Sequence, residues 1–129
     1  MGALRVLIVE DEPLVRTDIE DALRQAGYEV AGSAISGEEA IAKSRSLRPD
    51  IVLMDITLRG AMTGSTAAQF IQEEMPVPII FVSAQSTFEK MDESALPNFR
   101  VEKPFTREEL IDALIAASVQ CVRNVIPKR

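Results

Sequence analysis

Glu10-Asp11-Glu12, Asp55 and Ser83 each follow directly on a short apolar run, and Lys103 follows a more polar one, Phe99 to Glu102. An acidic residue at a helix start is commonly only a cap, Asp55 and Ser83 are each compatible with ordinary loop residues, and Lys103 with a solvated charge. Their joint position past the ends of successive strand-like runs is what points to a site. Two carboxylates about 5 Å apart repel by about 3 kcal/mol at an effective dielectric of about 20, so Glu10, Asp11 and Asp55 together call for a divalent cation. With Lys103 alone, this cluster keeps an excess negative charge that one Mg²⁺ neutralises. Oxygen ligands without imidazole or thiolate favour Mg²⁺ over zinc or copper. If Asp55 becomes an aspartyl phosphate, the metal, Lys103 and a hydroxyl can hold the added oxygens. The chemistry expected of this set is acceptance of a phosphoryl group.

What is missing narrows the choice further. The chain has no histidine, which removes Ser-His-Asp and Cys-His catalysis, imidazole metal sites and any phosphohistidine of its own. The single Cys121 has no internal disulfide partner and sits in a helical apolar pattern, so it is expected to be a small core residue.

The elements that must position these residues alternate between two patterns. Leu4 to Val9 is an apolar run, followed by Val15, Ile19, Ala22, Leu23 and Ala26 at helical spacing, with Gly27 where a helix ends. A weaker run at Glu29 to Ala34 leads to Ser36-Gly37-Glu38-Glu39, a capping box that opens a helix carrying Ala40, Ile41 and Leu47. Ile51 to Met54 and Ile79 to Val82 are apolar without alternation, which suits central strands covered on both faces. Between them lie a Gly-containing loop, Thr57 to Gly64, and a helix with Ala67, Ala68, Phe70 and Ile71. A short helix is expected around Phe88, Met91 and Ala95, and a more polar strand from Phe99 to Glu102. Thr106-Arg107-Glu108-Glu109 is a second capping box, and Leu110, Ile111, Leu114, Ile115, Ala117, Ser118 and Val122 carry the last helix. Strict alternation predicts an α/β fold, a (βα)5 doubly wound, flavodoxin-like sandwich. The five-stranded parallel sheet is expected in the common order 2-1-3-4-5, with ligands bound beyond the carboxyl ends of the strands.

At 129 residues, with 47% hydrophobic residues, the chain suffices for one compact domain. Residues 1–123 are expected to form it and 124–129 a tail, with no output domain following. A net charge of −6 argues against direct nucleic-acid binding. The absence of a long apolar run or signal-peptide pattern argues against membrane insertion, and Val6 breaks the myristoylation motif at Gly2. A cytoplasmic protein is expected.

Val6-Leu7-Ile8-Val9-Glu10-Asp11-Glu12-Pro13, Leu53-Met54-Asp55-Ile56, Phe81-Val82-Ser83-Ala84 and Val101-Glu102-Lys103-Pro104-Phe105 together resemble the receiver domains of two-component response regulators. The resemblance covers essentially the whole chain. It implies that Asp55 is the phosphoacceptor and Asp11 a direct Mg²⁺ ligand. Glu10 would be a second acidic group acting through water, and the Thr57 backbone carbonyl a further ligand. Lys103 and Ser83 would hold the phosphoryl oxygens, and the Lys103-Pro104 bond would be cis. The implied donor is a histidine kinase or phosphotransfer protein and the implied output a downstream protein target. No activity is implied beyond the domain's own phosphorylation and dephosphorylation. Three departures are visible: Arg59 replaces a common proline, leaving Gly60 and Gly64 to shape the loop; Arg100 replaces a common switch aromatic; and 20 positions separate Ser83 from Lys103, which shortens the fourth helix. Two other readings use the same residues. A small Mg²⁺-dependent phosphohydrolase of the haloacid dehalogenase type needs a second Asp where Thr57 stands, and a pseudo-receiver would bind partners without phosphorylation.

Overall fold

The structure is a computed structural model that describes the backbone of residues 2–125 and the side chains of residues 2–121. Strands and helices alternate throughout. They are β1 (Arg5–Val9), α1 (Pro13–Gln25), β2 (Glu29–Ala34), α2 (Gly37–Leu47), β3 (Ile51–Asp55), α3 (Gly64–Glu74), β4 (Ile79–Ala84), α4 (Gln85–Glu89), β5 (Arg100–Lys103) and α5 (Arg107–Val125). All strand pairings are parallel and the order is β2-β1-β3-β4-β5.

Successive strand residues point to opposite faces, so the apolar runs of β1 and β3 divide between two cores. Val6, Ile8, Ile51 and Leu53 pack with Ile19 and Leu23 of α1 and Leu110, Leu114 and Ala117 of α5. Leu7, Val9, Val52 and Met54 pack on the other face with Ala40 of α2 and Ala67, Ala68 and Ile71 of α3. Every residue of β3 is buried, as unbroken apolarity predicted. Burying each such Leu or Val contributes about 1.5–3 kcal/mol.

Helix starts follow their capping sequences. Ser36 Oγ accepts from the Glu39 amide, and Thr106 and Glu109 bond reciprocally, the hydroxyl accepting from the Glu109 amide and the carboxylate from the Thr106 amide. Helix α1 begins with Pro13 at its first turn and is followed by Gly27 in the left-handed region at φ +90°. Some residues counted toward helical apolar faces lie outside the core. Ala26 caps α1 and is exposed, Phe70 is 45% exposed and Ile115 is 56% exposed. Ala26 lies past the last helical residue, while Phe70 and Ile115 fall on the edge of their apolar stripes, where helix rotation turns them to solvent. Val122 lies outside the described side chains. Helix α5 runs through Val125, so the boundary expected at residue 123 falls within its last turn. Residues 126–129 lie outside the described residues.

The segment after β4 is thin. Helix α4 has only five residues, and a single 3₁₀ turn at Glu93–Ala95 follows, where one short helix through Ala95 was expected. Phe81 is therefore only partly buried, and a cleft of about 560 Å³ opens at the amino ends of β4 and β5, walled by Val77, Ile79, Phe81, Leu96 and Phe99. Strand β5 begins one residue later than expected. Phe99 and Val101 turn toward the α1/α5 core while Arg100, paired with Phe81 of β4, is exposed on the opposite face.

The two glycines of the loop after β3 serve different needs. Gly60 has φ +107° with open space around it. At Gly64 a Cβ would stand 2.0 Å from the Asp55 carbonyl oxygen and 2.8 Å from Ile56 Cα, so only glycine lets α3 start against the end of β3. Gly64→Ala is expected to cost about 3 kcal/mol because backbone must move, and Gly60→Ala about 1 kcal/mol from φ alone. Urea midpoints of the two variants at equal slope check the ranking.

Candidate functional site

Parallel strands bring their carboxyl ends to one rim, and the sequence places a polar residue at four of the five. Glu10 follows β1, Asp55 ends β3, Ser83 lies in β4 and Lys103 ends β5. Glu10, Asp55 and Ser83 are 2%, 5% and 2% exposed, so charge is held where water is nearly excluded.

Lys103 lies at the centre of the arrangement. Its Nζ donates to Glu10 Oε1 at 2.7 Å and to Asp55 Oδ2 at 3.1 Å. The other Asp55 oxygen, Oδ1, accepts from the Thr57 amide at 2.9 Å, the local turn that an Asp makes with the residue two ahead. Asp11 Oδ2 accepts from the Arg59 amide at 3.1 Å, with the Arg59 guanidinium 3.5 Å away. The Thr57 and Ser83 hydroxyls share a 3.3 Å hydrogen bond. The Lys103-Pro104 bond is cis.

Glu10, Asp11 and Asp55 bring carboxylate oxygens within 4.8 Å of one another. Burial pushes the Glu10 carboxyl up to about 8, reinforced by the neighbouring Asp55 and opposed by Lys103. Burial also works against the charge on Lys103. Its hydrogen bond to Glu10 and the charges of Asp55 and Glu10 outweigh that, and its ammonium is held above its ordinary range. Glu10 Oε2 is buried with no hydrogen-bond partner. An orphaned carboxylate oxygen beside two further carboxylates is the donor set a hard divalent cation takes.

The sequence-derived residues converge with one exception: Glu12 is exposed and serves as the N-cap of α1, apart from the acidic cluster. Three contacts escaped sequence reasoning. The Thr57 side chain faces Ser83, Arg59 pairs with Asp11, and Arg16 donates to the Glu10 carbonyl at 2.9 Å. The Asp-x-Thr spacing signals only the separate amide bond to Asp55, and no local pattern signals these three. Where a dehalogenase-type hydrolase needs a second Asp, the Thr57 hydroxyl is turned to Ser83. Cys121 donates to the Asp50 carbonyl at 3.2 Å, and burial, with the Asp50 charge, pushes its thiol up, as befits a core residue.

Comparison with known proteins places this geometry. The family profile described as the response regulator receiver domain matches residues 6–115. The chain belongs to the response regulator receiver domain family. The chemotaxis protein CheY of Thermotoga maritima is 39% identical over 113 residues, covering 85% of this chain and 93% of that protein. A protein-glutamate methylesterase/protein-glutamine glutaminase of Archaeoglobus fulgidus is 41% identical over 81 residues, which cover 63% of this chain and 23% of that protein. The transcriptional regulatory protein PdtaR of Mycobacterium tuberculosis is 36% identical, over 85% of this chain and 54% of that protein. The chain thus spans about a quarter to a half of these two longer relatives. The response regulator PhyR from Brucella abortus superposes with a TM-score of 0.83 at 35% identity, covering 95% of this chain and 51% of that chain. The protein is therefore a phosphoacceptor signalling receiver, and its acidic rim is of the kind through which receivers bind a divalent cation. Among the described residues, no helix is long and apolar enough to cross a membrane.

Lys103 is the ammonium partner of two buried carboxylates. Lys103→Met, which keeps an apolar stem and removes the charge, is expected to cost the metal-free protein about 3 kcal/mol. Millimolar Mg²⁺ should recover part of that loss. Urea unfolding with and without Mg²⁺ measures both.

Proposed function

We propose that Asp55 accepts a phosphoryl group from the phosphohistidine of a kinase or phosphotransfer protein in a Mg²⁺-dependent reaction, and that the receiver signals through a changed protein-binding surface. The observation that carries this reading is the buried Asp55 carboxylate, held between the Lys103 ammonium and the Thr57 amide at the rim of the sheet. Glu10, Asp11, Asp55 and the Thr57 carbonyl would hold Mg²⁺, with Glu10 acting through water. When bound, the ion supplies positive charge for the anionic donor to approach and for the transferred oxygens.

The chain's own groups perform the rest. A carboxylate oxygen of Asp55 attacks phosphorus, the P–N bond to the donor imidazole breaks, and the nitrogen keeps its electron pair. Lys103 holds the carboxylate in place beforehand and takes a phosphoryl oxygen afterwards. The Ser83 hydroxyl, bonded to Thr57 before transfer, exchanges that partner for a phosphoryl oxygen and so draws on the end of β4. Immediately beyond Ser83 lie the short α4 and the 3₁₀ turn, a segment with few core contacts and the one most easily reordered. Arg100, exposed on the face toward that segment, would belong to a charged docking surface. The net charge of −6 suits a protein target better than nucleic acid, and the whole is read as cytoplasmic.

Incubation with Mg²⁺ and a small acyl phosphate should add the mass of one phosphoryl group in a linkage cleaved by base or hydroxylamine, read by intact mass spectrometry. Asp55→Asn should add none. Equal mass gain in Asp55→Asn overturns the assignment. Ser83→Ala should still be phosphorylated but lose the phosphorylation-dependent change in amide exchange across residues 85–96, while Arg100→Ala keeps that change and binds the target more weakly.

A further inference from the structure

Arg59 has no task in the phosphoryl-accepting set, yet its interactions go to one of the proposed metal ligands. Arg45 and Arg107 tie helices together, Arg45 to Glu74 and Arg107 to Asp18. Arg59 instead places Nε 3.5 Å from Asp11 Oδ2, the same oxygen that its own amide reaches at 3.1 Å. Its side chain is 85% exposed while that of Asp11 is 11% exposed, so the guanidinium covers the carboxylate from the solvent side. The cluster thus holds two cations of different kinds. Lys103 is partly buried and bound to two carboxylates, whereas Arg59 is exposed and bound to one.

We propose that Arg59 competes with the divalent cation for Asp11 and thereby sets the metal affinity of the site. This rests on the reading of the acidic rim as a metal-assisted phosphoryl acceptor. A cation entering among Glu10, Asp11 and Asp55 meets three carboxylates at once, and the guanidinium meets only Asp11. The metal prevails, but its binding must first break the pair and move a like charge away from Asp11. The loop does not depend on that pair. Thr57 and Arg59 hang it from Asp55 and Asp11 by backbone amides, which any residue but proline at position 59 retains. Replacing the guanidinium therefore changes charge without moving the ligands.

The test is calorimetric titration of the full chain with Mg²⁺ in low salt and in about 1 M salt, where the screening length falls to about 3 Å. Arg59→Gln should bind Mg²⁺ about two- to fivefold more tightly than wild type in low salt, the range expected for loss of one exposed pair, and the gain should fade in high salt. Arg59→Lys should stay near wild type. In an Asp11→Asn background, titrated to higher Mg²⁺, Arg59→Gln should bring no further gain, because the pair is already gone. An unchanged or weaker affinity for Arg59→Gln on a wild type that binds Mg²⁺ overturns the inference alone. The same gain in the Asp11→Asn background also overturns it, since the charge then acts through the general field. A wild type that binds no Mg²⁺ removes the metal reading of the rim, and the inference falls with it.

Discussion

Three carboxylates gathered at the nearly dry rim of a parallel sheet, with one ammonium between two of them, form the constraint on which this molecule depends. Removing such charges from water costs several kcal/mol apiece, and at an effective dielectric of about 20 each pair adds about 3 kcal/mol of repulsion. Burial acts on Glu10 accordingly, raising its carboxyl far above the usual range. The rest of the protein holds this costly arrangement in place. In the function proposed above, a dication would turn the same arrangement from a liability into a receptacle for a phosphoryl group.

The fold meets that demand through its central strands. Because β1 and β3 are covered on both faces, neither can shift register without moving a whole row of side chains from one core to the other, and Glu10 and Asp55 are fixed as firmly as Ile8 and Leu53. The loop after Asp55 is held by a different device. Gly64 lets α3 begin in contact with the Asp55 carbonyl, and two backbone amides of the loop bond back to the carboxylates. The acidic groups thus organise the loop that completes their own site.

Rigidity on this side contrasts with economy on the other. Between Ser83 and Lys103 the chain supplies one five-residue helix and a 3₁₀ turn, so the α2/α3 face of the sheet is thinly covered at β4 and β5. Phe81 is left partly exposed, and Arg100 occupies the outer face of the edge strand. A long guanidinium cannot be buried there without a charge partner, and its side chain settles for the Pro97 carbonyl. The segment joined to Ser83 is therefore the part of the molecule with the least core to lose on rearranging.

Much of this was legible in the sequence, for a definite reason. Periodicity and capping are local properties: the unbroken apolarity of Ile51 to Met54 specified a strand covered on both sides, and Ser36 with Glu39 and Thr106 with Glu109 marked helix starts that the backbone then adopted. The acidic pair, Asp55, Ser83 and Lys103 were visible because parallel topology brings every strand's carboxyl end to one rim, so position along the chain implies position in space. What remained depends on contacts between residues far apart in sequence. No spacing rule brings Arg59 to Asp11, turns the Thr57 hydroxyl to Ser83, or tells that Gly64 serves close approach while Gly60 serves a positive φ. Nor does helical spacing reveal that Phe70 and Ile115 lie at the edge of their stripes, since the pattern names a face and only the packed neighbours decide where it ends. The sequence by itself determined which strand-end groups gather at the rim. The tertiary structure decided which of them are dry, which cation each carboxylate faces and which oxygen is left without a partner, because these depend on distances set by packing and on the exclusion of water.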